Sequence, residues 1–376
     1  MTNLQFRKTL LEKLCQSEIP SLNGLRALAV LTVIAHHNGL LLFGLSASHG
    51  VMLFFVLSGF LITWLLLKEY DRYDTVSFFN FYIRRSLRIF PAFYLYWGIV
   101  VCATVVSHKH TVAWGHAVSA LFYYNNYYYA FSEHTIGYLQ HAWSLAVEEQ
   151  FYLIWPGLFL LLVRSRTSAI WLLTSLLPLL WVYRIILVTL EVPDRYLYRA
   201  FETRADQLFV GCLLAFILHE GLFIGLWKRL CHWGSLLAVV ACLEVSLALS
   251  YLVTFPYKTI VGFALEPLLM AILLVQTIAL RPAVLNWSPV QYLGRISYGM
   301  YLYHELGSSV AHRILGEESG RYLLTLTAYG LTVLFASLSY HFIETKFLAL
   351  KRQLQRPQVI PERGTYFSAP SLSISP

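Results

Sequence analysis

Windows of roughly 20 mostly apolar residues, the length a helix needs to cross a bilayer, recur from Leu22 to the region of Ile343 with short connections between them. Ten such spans are read, near 22 to 43, 50 to 68, 89 to 108, 145 to 163, 168 to 190, 205 to 219, 232 to 253, 258 to 279, 293 to 313 and 322 to 345. Composition agrees. A chain of 376 residues that is 57% hydrophobic and 13% charged, with a mean hydropathy of +0.59, lacks the polar surface of a soluble globule. The expected fold is all-α: a polytopic membrane bundle of about ten transmembrane helices.

Charge placement sets the orientation, because Lys and Arg concentrate in short cytoplasmic loops. With both termini cytoplasmic, roughly 19 of the 28 Lys and Arg residues fall inside and about 8 outside. Val112 to Trp143 is left out of the membrane; counting it as a span would scatter Arg164, Arg166, Lys351 and Arg352 over different sides. The distribution also accounts for most of the net charge of +8, so no nucleic-acid partner is expected. Met1 to Pro20 carries Arg7, Lys8, Glu12 and Lys13 and does not read as a cleavable signal peptide. Cys15, Cys102, Cys212, Cys231 and Cys242 have neither metal nor redox spacing, so no disulfide and no metal is expected. The chain divides into a cytoplasmic N-terminal arm (1–18), one membrane domain (19–348) and a polar cytoplasmic tail (349–376) whose prolines read as disordered.

Ionisable side chains cost roughly 2.5 to 3.5 kcal/mol inside a bilayer, so each one within a span is a candidate site. In the first span Arg26 and His37 are eleven residues apart, three turns, and share a face, while His36 points about 80° away. His37 suits proton transfer near neutral pH; the alternative is that Arg26 snorkels and His37 serves as packing glue. Arg84, Arg85 and Arg88 converge on one side if helical, a clamp for the phosphates of a polyphosphorylated donor, or else an anchor on anionic lipid. Glu148 and Glu149 enter the fourth span from the other side. By rise alone Glu148 sits some 5 Å and His37 roughly 10 Å below the outer ends of their helices, so a carboxylate could orient His37, or both could merely cap a helix start. Ser58 reads as packing beside Gly59 ahead of a nucleophile, Tyr123 to Tyr129 as an interfacial belt or else a surface that stacks on sugars, and His304-Glu305 as a mid-span polar cluster without an assigned role.

From about Ile19 to Glu344 the chain resembles the acyltransferase-3 family of membrane proteins. The markers are Asn23-Gly-Leu-Arg26 with His37, Phe54-Phe-Val-Leu-Ser-Gly-Phe-Leu-Ile-Thr63, Arg85-x-x-Arg88 followed by Ile89 and Pro91, Trp143-Ser-Leu-x-Val-Glu148-Glu149-Gln150-Phe-Tyr, and Ile296-Ser-Tyr with His304. Asn23 stands where the family commonly has Asp, and Glu344 is followed by Thr345-Lys346 instead of a basic residue and proline. The resemblance implies an O-acyltransferase in the plasma (inner) membrane if bacterial. Acetyl-CoA would be the donor, with Arg85 and Arg88 near its phosphates and His37 and Arg26 on the transfer path. The acceptor would be a hydroxyl of a sugar, surface glycan or related molecule. His37 would act as general base or carry a transient acyl group. Family members with a fused extracytoplasmic hydrolase-like domain suggest that this chain works alone or with a separate partner there. The competing class is a proton-coupled transporter or flippase, with His37, Glu148 and Glu149 as its relay.

Overall fold

The computed structural model describes residues 2–16, 18–42, 45–107, 114–132, 139–253, 255–316 and 319–354. Among the described residues it is all-α, the one extended pairing being an isolated bridge between Leu42 and Leu45. The order is α1 (Asn3–Leu14), α2 (Pro20–His37), α3 (Ala47–Tyr73), α4 (Phe78–Ser107), the short α5 (Trp114–Leu121) and α6 (Asn125–Phe131), α7 (Trp143–Val163) and α8 (Arg166–Thr189). Then come α9 (Asp194–Arg199), α10 (Phe201–Glu220), α11 (Ile224–Leu230) and α12 (Trp233–Leu252). A single turn, α13 (Phe255–Tyr257), passes through a π turn at Lys258–Gly262 into α14 (Phe263–Leu280). The chain closes with α15 (Ser288–Arg295), α16 (Ser297–Leu315), α17 (Arg321–Ser339), a second π turn at Tyr340–Glu344, and α18 (Thr345–Leu354).

Each of the ten expected spans falls on a helix: α2, α3, α4, α7, α8, α10, α12, α14, α16 and α17. Among the described residues seven helical stretches are long and apolar enough to cross a membrane, and an eighth is obtained if Asp194–Glu220 and Ile224–Leu230, bent by 113° across the break between them, count as one. α2 and α16 miss that standard because of the polar residues that single them out, Arg26, His36 and His37 in one and His304, Glu305, His312 and Arg313 in the other. The chain is a multi-pass membrane protein. α5 and α6, of eight and seven residues, are too short to span, as expected for the segment left outside. The proposed tail begins inside α18; the remainder, 355–376, lies outside the described residues.

α3 is the axis of the bundle, with 78% of its apolar stretch buried, whereas α8 and α12, at 11% and 22%, present most of theirs outward to lipid. α2 and α10 flank α3 closely. A β-carbon on Gly59 would collide with the carbonyl of Leu208, and one on Gly211 with that of Val56, so the two helices meet backbone to backbone along paired glycines. α2 ends earlier than its apolar pattern suggests. Gly39 takes a left-handed conformation (φ +76°), and Asn38 Nδ2 turns back to the carbonyl of Ile34 at 2.8 Å and to Ser308 Oγ at 3.1 Å. His37 is therefore the last residue of its helix, not one buried two turns below the end.

Candidate active site

Two cavities enter the bundle, and they adjoin. The first is lined by Arg26 from α2, Ser58 from α3, Arg85 and Arg88 from α4, Glu148, Glu149 and Tyr152 from α7, and Ser297, Tyr298 and Tyr301 from α16. The second, larger one is lined by His36 and His37, by Ser46 and Ser48, by His141 and Trp143, and by Tyr198, Arg199, Lys258, Tyr301 and Glu305. Val51 and Tyr301 belong to both walls, so the two spaces are separated there by one layer of side chains.

The arginine cavity grades from exposed to half-buried: Arg88 is open to solvent, while Arg85 and Arg26 stand deeper. The Arg85 guanidinium lies over the ring of Tyr152, 5.4 Å from its centroid, and the Tyr152 hydroxyl donates to Ser58 Oγ at 3.0 Å, which donates to Glu148 at 2.8 Å. Ser58 is thus part of a polar chain that supports Glu148, a role that its place beside Gly59 in an apolar run did not suggest. Arg84, expected in the same clamp, is turned away. One residue from Arg85 on a helix is a rotation of about 100°, and Arg84 pairs with Glu69 of α3 at 2.8 Å without lining the cavity.

At the other end His37 Nδ1 lies 2.8 Å from the carbonyl of Val33, and His304 Nδ1 lies 2.6 Å from that of Tyr301. A carbonyl only accepts, so both Nδ1 atoms carry the proton and both Nε2 atoms are left to face each other and Glu305. Glu305 Oε1 is 3.6 Å from His37 Nε2 and 3.7 Å from His304 Nε2. The ring of His304 stands 4.7 Å from those of both His37 and His141. The ligand atoms of His37, His304 and Glu305 lie within 4.8 Å of one another, close enough to hold a divalent cation, and hydrogen bonds to the far ring nitrogens are what orients metal-ligating histidines.

The expected meeting of Glu148 with His37 does not occur. The turn Gln140–Ala142 that precedes α7 already places His141 beside His304, so Glu148, seven residues on, is carried about 10 Å further toward the arginines. Glu305 takes the place at His37. The sequence displayed His304-Glu305 as a polar pair in a span but not which helix it faced. Tyr301, within the polar cluster around His304, and Ser144, within the Trp143-Ser-Leu motif, were given no role of their own, since a tyrosine or serine in a membrane helix is unremarkable by itself.

A family model for an acyltransferase domain matches residues 19–341. The peptidoglycan O-acetyltransferase OatA of Listeria monocytogenes is 30% identical over 350 residues, covering 87% of this chain and 55% of that protein. YrhL of Bacillus subtilis, to which peptidoglycan O-acetylation is provisionally attributed, is 33% identical over 375 residues, covering 87% and 54%. A Staphylococcus aureus protein named provisionally as an O-acetyltransferase is 30% identical over 377 residues, covering 92% and 60%. The chain thus spans a little over half the length of these relatives. No solved structure matches it.

Proposed function

Because this chain belongs to the acyltransferase-3 family, we propose that it is an O-acyltransferase that moves an acetyl group from a coenzyme A thioester to a hydroxyl of a glycan. The observation that carries the reading is the pair of cavities meeting at Val51 and Tyr301, one lined with arginines and the other with histidines. The arginine cavity takes the donor from the cytoplasm, the side favoured for that end by the positive-inside bias. Arg88 and Arg85 hold its phosphates with paired N–H donors. Arg26, deeper in the same wall, meets the negative charge that develops on the thioester carbonyl oxygen, with Glu148 and Glu149 balancing the guanidinium charges around it.

The histidine cavity takes the acceptor, whose relatives' names point to a glycan such as peptidoglycan. His37 Nε2 accepts the proton of the acceptor hydroxyl as its oxygen bonds to the acyl carbon; the C–S bond breaks, and the coenzyme A thiolate leaves on the arginine side. Glu305 steadies the imidazolium. The thinness of the layer at Tyr301 favours a second version, in which His37 Nε2 itself receives the acyl group and passes it on. A proton-coupled transporter would use the same groups without consuming thioester.

The test is free thiol release from acetyl-CoA by the purified protein with a glycan extract as acceptor, comparing wild type, His37→Ala and His36→Ala. Turnover lost only in His37→Ala is the expected result. Acceptor movement into vesicles without thiol release would replace the enzyme by the transporter.

A further inference from the structure

Lys258 is a cation where two general preferences for charge placement disfavour one. It lies in the first helical turn of the run from Phe255 to Leu280, where the helix dipole disfavours positive charge. It stands at the histidine end of the bundle, the side on which membrane proteins carry few lysines once the arginine end is taken as cytoplasmic. It opens a π turn, Lys258–Gly262, and such turns are rare and recur at functional sites. No carboxylate pairs with it among the described residues. The nearby Glu266 is instead occupied by His49, at 3.5 Å, and by Ser246, at 2.7 Å. The Lys258 ammonium lies over the ring of Tyr198, 5.3 Å from its centroid.

What Lys258 does face is the histidine cavity, together with Arg199, the residue after Tyr198. The cavity is therefore charged in two halves, with Glu305 held against His37 and His304 at one, and at the other Lys258 over Tyr198 and Arg199, whose guanidinium also donates to the carbonyl of Tyr129 at 3.2 Å. Tyr251, an exposed ring in the same wall, offers a face on which the apolar face of a sugar can lie. Ser48 Oγ, 2% exposed and without a hydrogen-bond partner, lines the same wall and is ready for a ligand hydroxyl.

Resting on the acyltransferase reading above, we propose that the acceptor is a sugar bearing an anionic group, carboxylate or phosphate, which Lys258 and Arg199 hold while its hydroxyl is presented to His37. A charge-assisted hydrogen bond on the anion fixes which hydroxyl reaches Nε2, so Lys258 selects the acceptor and registers it.

Three oligosaccharides of equal length, neutral, carboxylate-bearing and phosphate-bearing, would be titrated calorimetrically into the full chain in detergent, without donor. The wild type is expected to bind an anionic form about tenfold tighter than the neutral one. The advantage should shrink with rising ionic strength, disappear in Lys258→Gln, reverse in Lys258→Glu and persist in Lys258→Arg. A preference for carboxylate alone assigns an acidic sugar, and one for phosphate alone a phosphate-linked glycan. Equal binding of all three, or a preference that survives Lys258→Gln, overturns the proposal. Because binding is read without turnover, selective binding with no thiol release afterwards would sink the acyltransferase reading and leave the anion site standing, and the converse result would do the opposite. Should Lys258→Gln not fold, the salt dependence of the wild type and the Lys258→Arg variant still decide the matter.

Discussion

The Tyr301 hydroxyl lies 2.6 Å from Ser144 Oγ and donates to the carbonyl of His141 at 2.8 Å, so one phenol fastens α16 to the start of α7 at the level where the two cavities adjoin. Removing the ring in Tyr301→Ala should open the arginine cavity to water from the other side. The expected outcome is a several-fold rise in thiol release from acetyl-CoA in the absence of acceptor, with transfer reduced. Hydrolysis that stays at the wild-type background would mean that Tyr301 is not the partition.

Arg84 and Arg85 are neighbours in sequence with opposite surroundings. If Arg85 and Arg88 hold the donor, Arg85→Gln and Arg88→Gln should each raise the KM for acetyl-CoA by about tenfold, the value of one charge-assisted contact. Arg84→Gln, which breaks only the pair with Glu69, should leave that KM nearly unchanged. Equal effects from all three would return Arg84 to the donor site.

For the histidine group, His37→Ala should lower turnover about 100-fold to 10,000-fold, the range for a lost general base. Glu305→Gln should lower kcat with little change in the KM for acetyl-CoA, because the carboxylate lies against the imidazole of His37 and does not line the arginine cavity. If the three ligand atoms hold a proton and not a metal, dialysis against a chelator will leave turnover intact. Loss on chelation with recovery on adding one divalent cation would recast His37, His304 and Glu305 as a metal site.

Gly59 and Gly211 bring α3 and α10 into backbone contact, and that contact allows no side chain. Gly59→Val should destabilise the detergent-solubilised protein by about 1–3 kcal/mol, read as a lowered apparent Tm. Gly157→Ala is the comparison: its added β-carbon meets nothing within 4 Å. Comparable losses from both would mean that the close approach at Gly59 is not what the substitution disturbs.

The spans were legible because lipid forces apolar length on every crossing helix, and Arg26, His37, Arg85 and Arg88 were legible because polarity there is costly. What stayed hidden was the pairing between helices. Glu148 seemed near His37 on a count of residues from helix ends, but the end of α2 is set by Asn38 and Gly39 and the level of α7 by the turn at Gln140–Ala142. Neither feature interrupts the apolar pattern. Arg84 likewise kept its periodic relation to Arg88, and only the position of Glu69 across the interface explains why it points elsewhere.

The layer at Val51 and Tyr301 has an electrical consequence. Cavities lined with arginine, histidine and carboxylate groups admit water, and water brings the potentials of the two compartments up to either face of that layer. A voltage that elsewhere falls over about 30 Å of hydrocarbon is here concentrated across a single tier of side chains. Any charge that crosses it feels nearly the whole drop, about 2.3 kcal/mol for each elementary charge per 100 mV. On the proposed transfer path a neutral acetyl group would pass without feeling it, whereas a proton would not.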